Sequence, residues 1–246
     1  MKRVCLIVNP YASGVTADRV RAVERALAGA GSISTLETQG RGHATELARA
    51  ACNQADAIVV YSGDGGFNEV LNGVDGHMPV GFIPGGGTSV LPRALGMPRD
   101  PEASARRLAH ALASNRTRRI SLGRANGRRF GFTAGVGLDA ELVRRVDAMG
   151  RASGGRRPGD RAFAWTLVRL LAERRGRFPP ALDVRGYGRA AFALVANGNP
   201  YTYLGRLPLR VAPEARFELG LDLVAPSDVR PRSLVRLLVY AVSGRG

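Results

Sequence analysis

The chain has 246 residues, 45% of them hydrophobic, enough for two modest domains or one large one with a real core. Its net charge of +16 comes from 36 basic residues, of which only Lys2 is lysine. A Walker A loop needs a Gly-Lys-Ser/Thr and a protein kinase needs a lysine on its third strand, so both are excluded. No run of about 18 apolar residues exists to span a bilayer. Cys5 and Cys52 lie in apolar surroundings, which suggests reduced thiols in a cytosol. His43, His77 and His110 have no metal-ligand spacing. A surface this basic favours anionic partners: phospholipid headgroups, nucleic acid or nucleotides.

Met1–Val8 is too short for a signal peptide and reads as a first strand, Val4–Val8. It ends in the turn Asn9-Pro10-Tyr11-Ala12-Ser13-Gly14. Ala17–Ala30 has helical spacing, with Val20, Val23, Ala26 and Leu27 on one face. Ser32–Thr38 reads as a second strand, followed by the turn Thr38–Gly42 and a helix over Ala44–Gln54. Ala55–Val60 is an apolar run of the kind that forms a buried parallel strand, and Val80–Ile83 is a fourth. The fourth ends in Pro84-Gly85-Gly86-Gly87-Thr88-Ser89 before another helical stretch. Four such units in succession predict a parallel, doubly wound sheet with its loops at the carboxyl ends of the strands, where these sheets bind ligands.

A helix is predicted over Glu102–Ala113, and the texture changes near Thr117. Arg118–Gly123 and Arg128–Gly135 read as a hairpin around Asn126-Gly127. A helix over Asp139–Met149, a glycine- and arginine-rich loop over Gly150–Arg161 and an amphipathic stretch over Phe163–Arg175 follow. In that stretch Phe163, Leu167, Val168 and Leu171 share a face. Leu182–Arg185, Ala191–Ala196, Leu207–Val211 and Leu219–Val224 read as strands, and Ser233–Val242 as a helix or strand. The fold class expected is α/β: an N-terminal α/β nucleotide-binding domain over residues 1–116, and a mainly β, sandwich-like domain over residues 117–246.

The stretch that organises the chain is Tyr61–Gly73, Y-S-G-D-G-G-F-N-E-V-L-N-G. A strand stops at Ser62-Gly63, and a helix can begin by Phe67. A glycine turn between strand and helix exposes N–H groups and a positive dipole end, an anion site and most often a phosphate site. Asp64 at its centre would repel phosphate, and Mg²⁺ bridging Asp64 to a triphosphate is the economical reading. The alternative is an ordinary βα turn with an N-capping aspartate.

N-P-x-x-S-G, S-G-D-G-x-x-N-E-V-x-N-G and P-G-G-G-T-S stand in order, followed by Phe130–Ala140 and Asn199–Gly205. Together they resemble the diacylglycerol kinase catalytic-domain family, which includes bacterial soluble lipid kinases and, more distantly, sphingosine and ceramide kinases. The resemblance implies an ATP-binding α/β domain, a β-rich lipid-binding domain and a cleft between them. The family pattern at the central loop is G-G-D-G-T. Here Ser62 stands for the first glycine, as in sphingosine kinases, and Gly66 for the threonine, which removes one phosphate contact. Gly87 and Ser89 depart from the family's P-G-G-S-T-N. Leu219 stands where bacterial members place an aspartate that holds a structural Mg²⁺.

The resemblance implies ATP and Mg²⁺ as cofactors, with Asn9, Pro10, Ser13, Gly14, Thr38, Ser62, Gly63, Gly65, Gly66, Asn68, Glu69, Gly86, Gly87 and Thr88 lining the nucleotide site. Asp64 is the expected metal ligand, and Asp139 would contact the acceptor hydroxyl. A helix cap is the plain reading of Asp139, and a first-turn acid favouring the helix dipole is that of Glu69. Gly135-x-Gly137-x-x-Ala140 also fits a loose dinucleotide fingerprint, but it follows a hairpin and lacks the expected acid, and is rejected.

The function expected is ATP-dependent transfer of a γ-phosphate to a lipid hydroxyl, diacylglycerol or a relative. A catalytically impaired nucleotide- or membrane-binding member and an NAD kinase are the alternatives. The partners expected are a lipid substrate at the membrane surface and anionic phospholipids, not nucleic acid, with a cytoplasmic chain peripherally bound to the membrane. The family continues to a D-G-E segment whose glutamate resembles the general base, and this chain stops at Gly246. A truncated second domain, weak catalysis and self-association, such as a homodimer, are therefore expected.

Overall fold

Apolar runs spaced by helices become one parallel sheet in this computed structural model, which describes residues 2–152 and 160–243. The chain passes through β1 (Lys2–Val8), α1 (Ala17–Leu27), a 3-10 turn (Ala28–Ala30), β2 (Gly31–Glu37), α2 (His43–Ala51) and β3 (Ala57–Ser62). It continues through α3 (Asp64–Gly73), β4 (Val80–Pro84), α4 (Val90–Ala94) and α5 (Pro101–Ala113). The strand order is β2-β1-β3-β4. β1 therefore lies between β2 and β3, with Val4 opposite both Ile33 and Ala57. The direction of winding reverses between β1 and β3, which opens a crevice at their carboxyl ends.

Every residue of β3 is buried, as a central parallel strand covered on both faces must be. On one face Val4, Leu6, Val8, Val59, Tyr61 and Ile83 meet Val23 and Leu27 of α1 and Ala105 and Ala109 of α5, with Val20 and Ala26 alongside. That is the α1 face expected from helical spacing. α2 and α3 pack on each other and on the sheet, and Phe67 meets Phe82 edge to face, with ring centres 5.4 Å apart. Asp100 caps α5 by accepting from Ala103 N–H at 2.8 Å, with Pro101 in the first turn.

The remaining elements are β5 (Gly123–Ala125), β6 (Arg128–Phe130), β7 (Thr133–Val136), α6 (Leu138–Ala152), α7 (Asp160–Glu173), β8 (Leu182–Val184) and β9 (Gly188–Ala190). Then come β10 (Ala193–Ala196), β11 (Thr202–Leu204), β12 (Leu207–Leu209), β13 (Asp222–Val224) and α8 (Pro231–Ser243). The turn at Asn126-Gly127 has positive φ at both residues, as a type I′ hairpin requires, but its arms are only β5 and β6. The expected second arm breaks at Gly131, and β7 leaves to pair with β10. The antiparallel sheets are β13-β10-β7 and the pairs β11-β12, β5-β6 and β8-β9.

The chain divides into two units, Met1–Ile120 with Arg124–Gly131, and Ser121–Gly123 with Phe132–Gly246. The chain thus changes unit more than once around residues 120–132, where the sequence suggests a single boundary at 116/117. In the second unit α6 and α7 meet through Leu142, Val146 and Leu170, with Leu167 partly buried. Val168, expected to share a face with Leu167, instead points outward with Trp165, and the two are 55% and 68% exposed. Of the loop expected over Gly150–Arg161, residues 150–152 belong to α6 and 160–161 to α7, and 153–159 lie outside the described residues. No described helix is long and apolar enough to cross a membrane.

Candidate nucleotide site

The crevice between β1 and β3 holds a cavity of about 280 Å³ in the first unit. Of the residues expected at a nucleotide site, Asn9, Thr38, Ser62, Gly65, Gly66 and Glu69 line it. Tyr11, Gly40 and Arg41 line it as well. Arg41 supplies a cation that the motif reading did not single out; the only hint in the sequence was its place in the glycine turn after the second strand. Pro10 and Ser13 are not on the cavity wall, nor are Gly14, Gly63, Asp64, Asn68 and Gly86–Thr88.

Gly14 and Gly85 act on the scaffold. Gly14 N–H donates to Gly85 O at 2.7 Å, and Gly85 N–H donates to Ser62 O at 2.7 Å. A Cβ on Gly85 would come within 2.9 Å of Ser62 O and of Val15 Cγ2. The loops after β1, β3 and β4 are thus bonded backbone to backbone at a spacing only glycine permits. Asn9 is partly committed too: its Oδ1 accepts from Tyr11 N–H at 3.0 Å, an Asx turn that shapes the first loop.

Helix α3 begins at Asp64, not near Phe67, with Gly63 as its N-cap and no side chain capping it. Asp64, Gly65 and Gly66 are therefore the first helical turn, whose N–H groups have no acceptor within the helix. That is the property expected of an anion site, reached by a helix start and not by an extended loop. The Asp64 carboxylate turns to the neighbouring loop. Oδ2 accepts from Val90 N–H at 3.0 Å and Oδ1 from Leu91 N–H at 3.1 Å. The residue before α4, Ser89, cannot cap it, because its hydroxyl is bonded to Gly86. Asp64 caps α4 across space in its place, so the capping alternative is realised on a different helix from its own.

Among the described residues no group of three or more His, Cys, Asp or Glu side chains could hold a metal. Asp64, with both oxygens in hydrogen bonds, does not build a cation site from protein alone. The donor set fits a Mg²⁺ carried in on phosphates, which typically takes one or two carboxylates and keeps several waters.

Two polar atoms at this end of the sheet, Ser62 Oγ and Asn68 Oδ1, are buried with no hydrogen-bond partner among the described residues. Buried polar groups are nearly always bonded, and of the two only Ser62 is on the cavity wall, where a bound oxygen would supply the missing partner.

In the second unit the turn after β7 brings together two motifs far apart in sequence. Asp139, in the first turn of α6, accepts a short hydrogen bond from the Tyr201 hydroxyl. Burial raises the Asp139 carboxyl above the ordinary carboxylate range, against the lowering effect of that bond. Burial, with the adjacent carboxylate, holds the Tyr201 hydroxyl well above its usual range. The carboxylate lies over Gly135, where a Cβ would stand 2.0 Å from Asp139 Oδ2. Tyr201 was not among the expected site residues, since its partner lies 62 positions away.

Residues 3–125, half of the chain, match the diacylglycerol kinase catalytic domain. The chain belongs to the diacylglycerol kinase catalytic-domain family. It is 36% identical over 149 residues to the diacylglycerol kinase of Bacillus subtilis strain 168, covering 58% of this chain and 48% of that protein. It is 32% identical over 153 residues to a protein of Streptococcus pneumoniae serotype 4 named provisionally as a lipid kinase, covering 60% of this chain and 51% of that protein. The chain thus spans about half the length of these curated relatives. A crystal structure from Bacillus anthracis strain Sterne, described provisionally as a diacylglycerol kinase, aligns with 99% of this chain and 78% of its own at 25% identity and a TM-score of 0.74.

Proposed function

We propose that this chain is an ATP-dependent lipid kinase that transfers the γ-phosphate to a hydroxyl of diacylglycerol or a related lipid. The observation that carries the reading is the cavity at the β1/β3 switch point, where an uncapped helix start, Ser62 and Arg41 face one space in a member of this kinase family. Phosphoryl transfer is largely positioning and charge neutralisation, which suits a site built from backbone N–H groups and an arginine in place of a catalytic lysine. Mg²⁺ bound with the phosphates would neutralise their charge and keep them compatible with the Asp64 carboxylate nearby.

In this scheme the lipid hydroxyl oxygen attacks the γ-phosphorus, the bond to the β–γ bridging oxygen breaks, and ADP leaves. Asp139 receives the hydroxyl proton. Its raised pKa suits a base at neutral pH better than an ordinary carboxylate would. Arg41 and the first turn of α3 hold the phosphates. We further propose that the outer face of α7, with Trp165 and Val168 exposed beside Arg169, rests on an anionic bilayer surface.

The test is transfer of label from γ-labelled ATP to extracted lipids, with NAD as a competing acceptor. Labelled phosphatidic acid or a related phospholipid is the expected product, lost on chelation of Mg²⁺. Label on NAD would replace the lipid acceptor. Nucleotide binding without any transfer would mark an impaired member of the family.

A further inference from the structure

Two departures from the G-G-D-G-T pattern, Ser62 and Gly66, meet in space. A Cβ built on Gly66 would stand 2.1 Å from Ser62 Oγ and 2.8 Å from Ser62 Cβ. The second distance does not depend on the serine rotamer, so turning the hydroxyl away gives no relief. With this backbone, position 62 or position 66 can carry a side chain, but not both. Ser62 is 1% exposed, lies on the cavity wall, and its hydroxyl has no partner among the described residues. A hydroxyl buried without a partner is destabilising, a loss that a ligand oxygen at this place would recover.

We propose that Ser62 and Gly66 are an exclusive pair. The hydroxyl that holds a nucleotide phosphate at the start of α3 comes from the strand end, from Ser62, and Gly66 is bare because Ser62 fills its space. This rests on the nucleotide reading above and deepens it. The contact that a threonine at 66 would make is relocated here, not lost. Ser62 is a positioning residue for phosphate, and its partner Gly66 is the condition for its presence.

The experiment uses the full chain in four variants: Ser62→Ala, Ser62→Gly, Gly66→Thr and the double swap Ser62→Gly with Gly66→Thr. Thermal melting without ligand reads the steric half. Gly66→Thr melts lower than wild type or fails to fold, and the double swap recovers. A Gly66→Thr chain as stable as wild type overturns the exclusion. Calorimetric binding of MgATP and of adenosine reads the ligand half. Ser62→Ala weakens MgATP binding about tenfold or more and leaves adenosine unchanged, and the double swap regains much of what Ser62→Gly loses. Wild type that binds MgATP, with Ser62→Ala binding it equally well, overturns the inference alone. Wild type that binds no MgATP overturns the nucleotide reading and the phosphate role with it, while the melting series still decides the exclusion.

Discussion

At the end of β3 the chain reads Ser62-Gly63-Asp64-Gly65-Gly66, and at the end of β7 it reads Gly135-Val136-Gly137-Leu138-Asp139. Each is a strand, a glycine turn and a helix with an aspartate in its first turn. In the first, both carboxylate oxygens are bonded to N–H groups of α4, so the aspartate fastens one loop to another. In the second, burial over Gly135 raises the carboxyl above its ordinary range, against the lowering effect of its partner, a tyrosine hydroxyl. A glycine–aspartate turn thus has no chemistry of its own. What approaches it through space decides how its carboxylate is bonded and whether it titrates high.

The largest effect is expected at Asp64. Asp64→Ala leaves two buried N–H groups without acceptors and is expected to cost about 2–4 kcal/mol in urea unfolding. Asp64→Asn keeps one acceptor and is expected to lose about half as much. A loss below about 1 kcal/mol for Asp64→Ala would show that the cap is dispensable.

Gly135→Ala drives a methyl into the Asp139 carboxylate and is expected to cost about 1–3 kcal/mol, the range of overpacking in a tight site. Replacing Asp139 by alanine in the same chain should recover only part of that loss, because the Asp139 Cβ also stands 2.7 Å from the added methyl. No recovery at all would show that the carboxylate contributes nothing to the clash.

The smallest expected effect is on the pH dependence of stability. Asp139 binds its proton more tightly folded than unfolded, so the folded chain holds more protons above the ordinary carboxylate range, from about pH 4. Its contribution to stability therefore falls as pH rises from there through its raised folded pKa. Asp139→Asn should flatten this slope. Tyr201→Phe should extend it upward, because the hydroxyl bond lowers the Asp139 pKa. Unfolding curves across that range check both, and an Asp139→Asn chain with the same slope as wild type, or a steeper fall, would refute the assignment.

The first unit was legible because its strands are continuous apolar runs between helices. Val4–Val8 and the run into Tyr61 could only be central parallel strands, and the switch point between them follows from their order. The second unit was harder, because strands of three or four residues leave too short a pattern to fix their ends. At the site, Gly14, expected at the nucleotide, also serves as a spacer between loops, as its approach to Gly85 O shows. Arg41, the Asp64 cap on α4 and the Tyr201–Asp139 bond all depend on approaches through space that no local spacing encodes. The Ser62 and Gly66 substitutions were visible one by one, and only the structure shows that they occupy one volume.

The chain's single tryptophan, Trp165, sits on the outer face of α7 at 68% exposure. Its indole is already in water in the native state, so its emission has little to lose in polarity when the chain unfolds. Intrinsic fluorescence is thus a poor thermometer for either unit, and melting is better followed by circular dichroism. The same indole is a built-in reporter for whatever settles on α7: a blue shift with vesicles, at constant circular dichroism, would register a change of solvent at one helix face without any added dye.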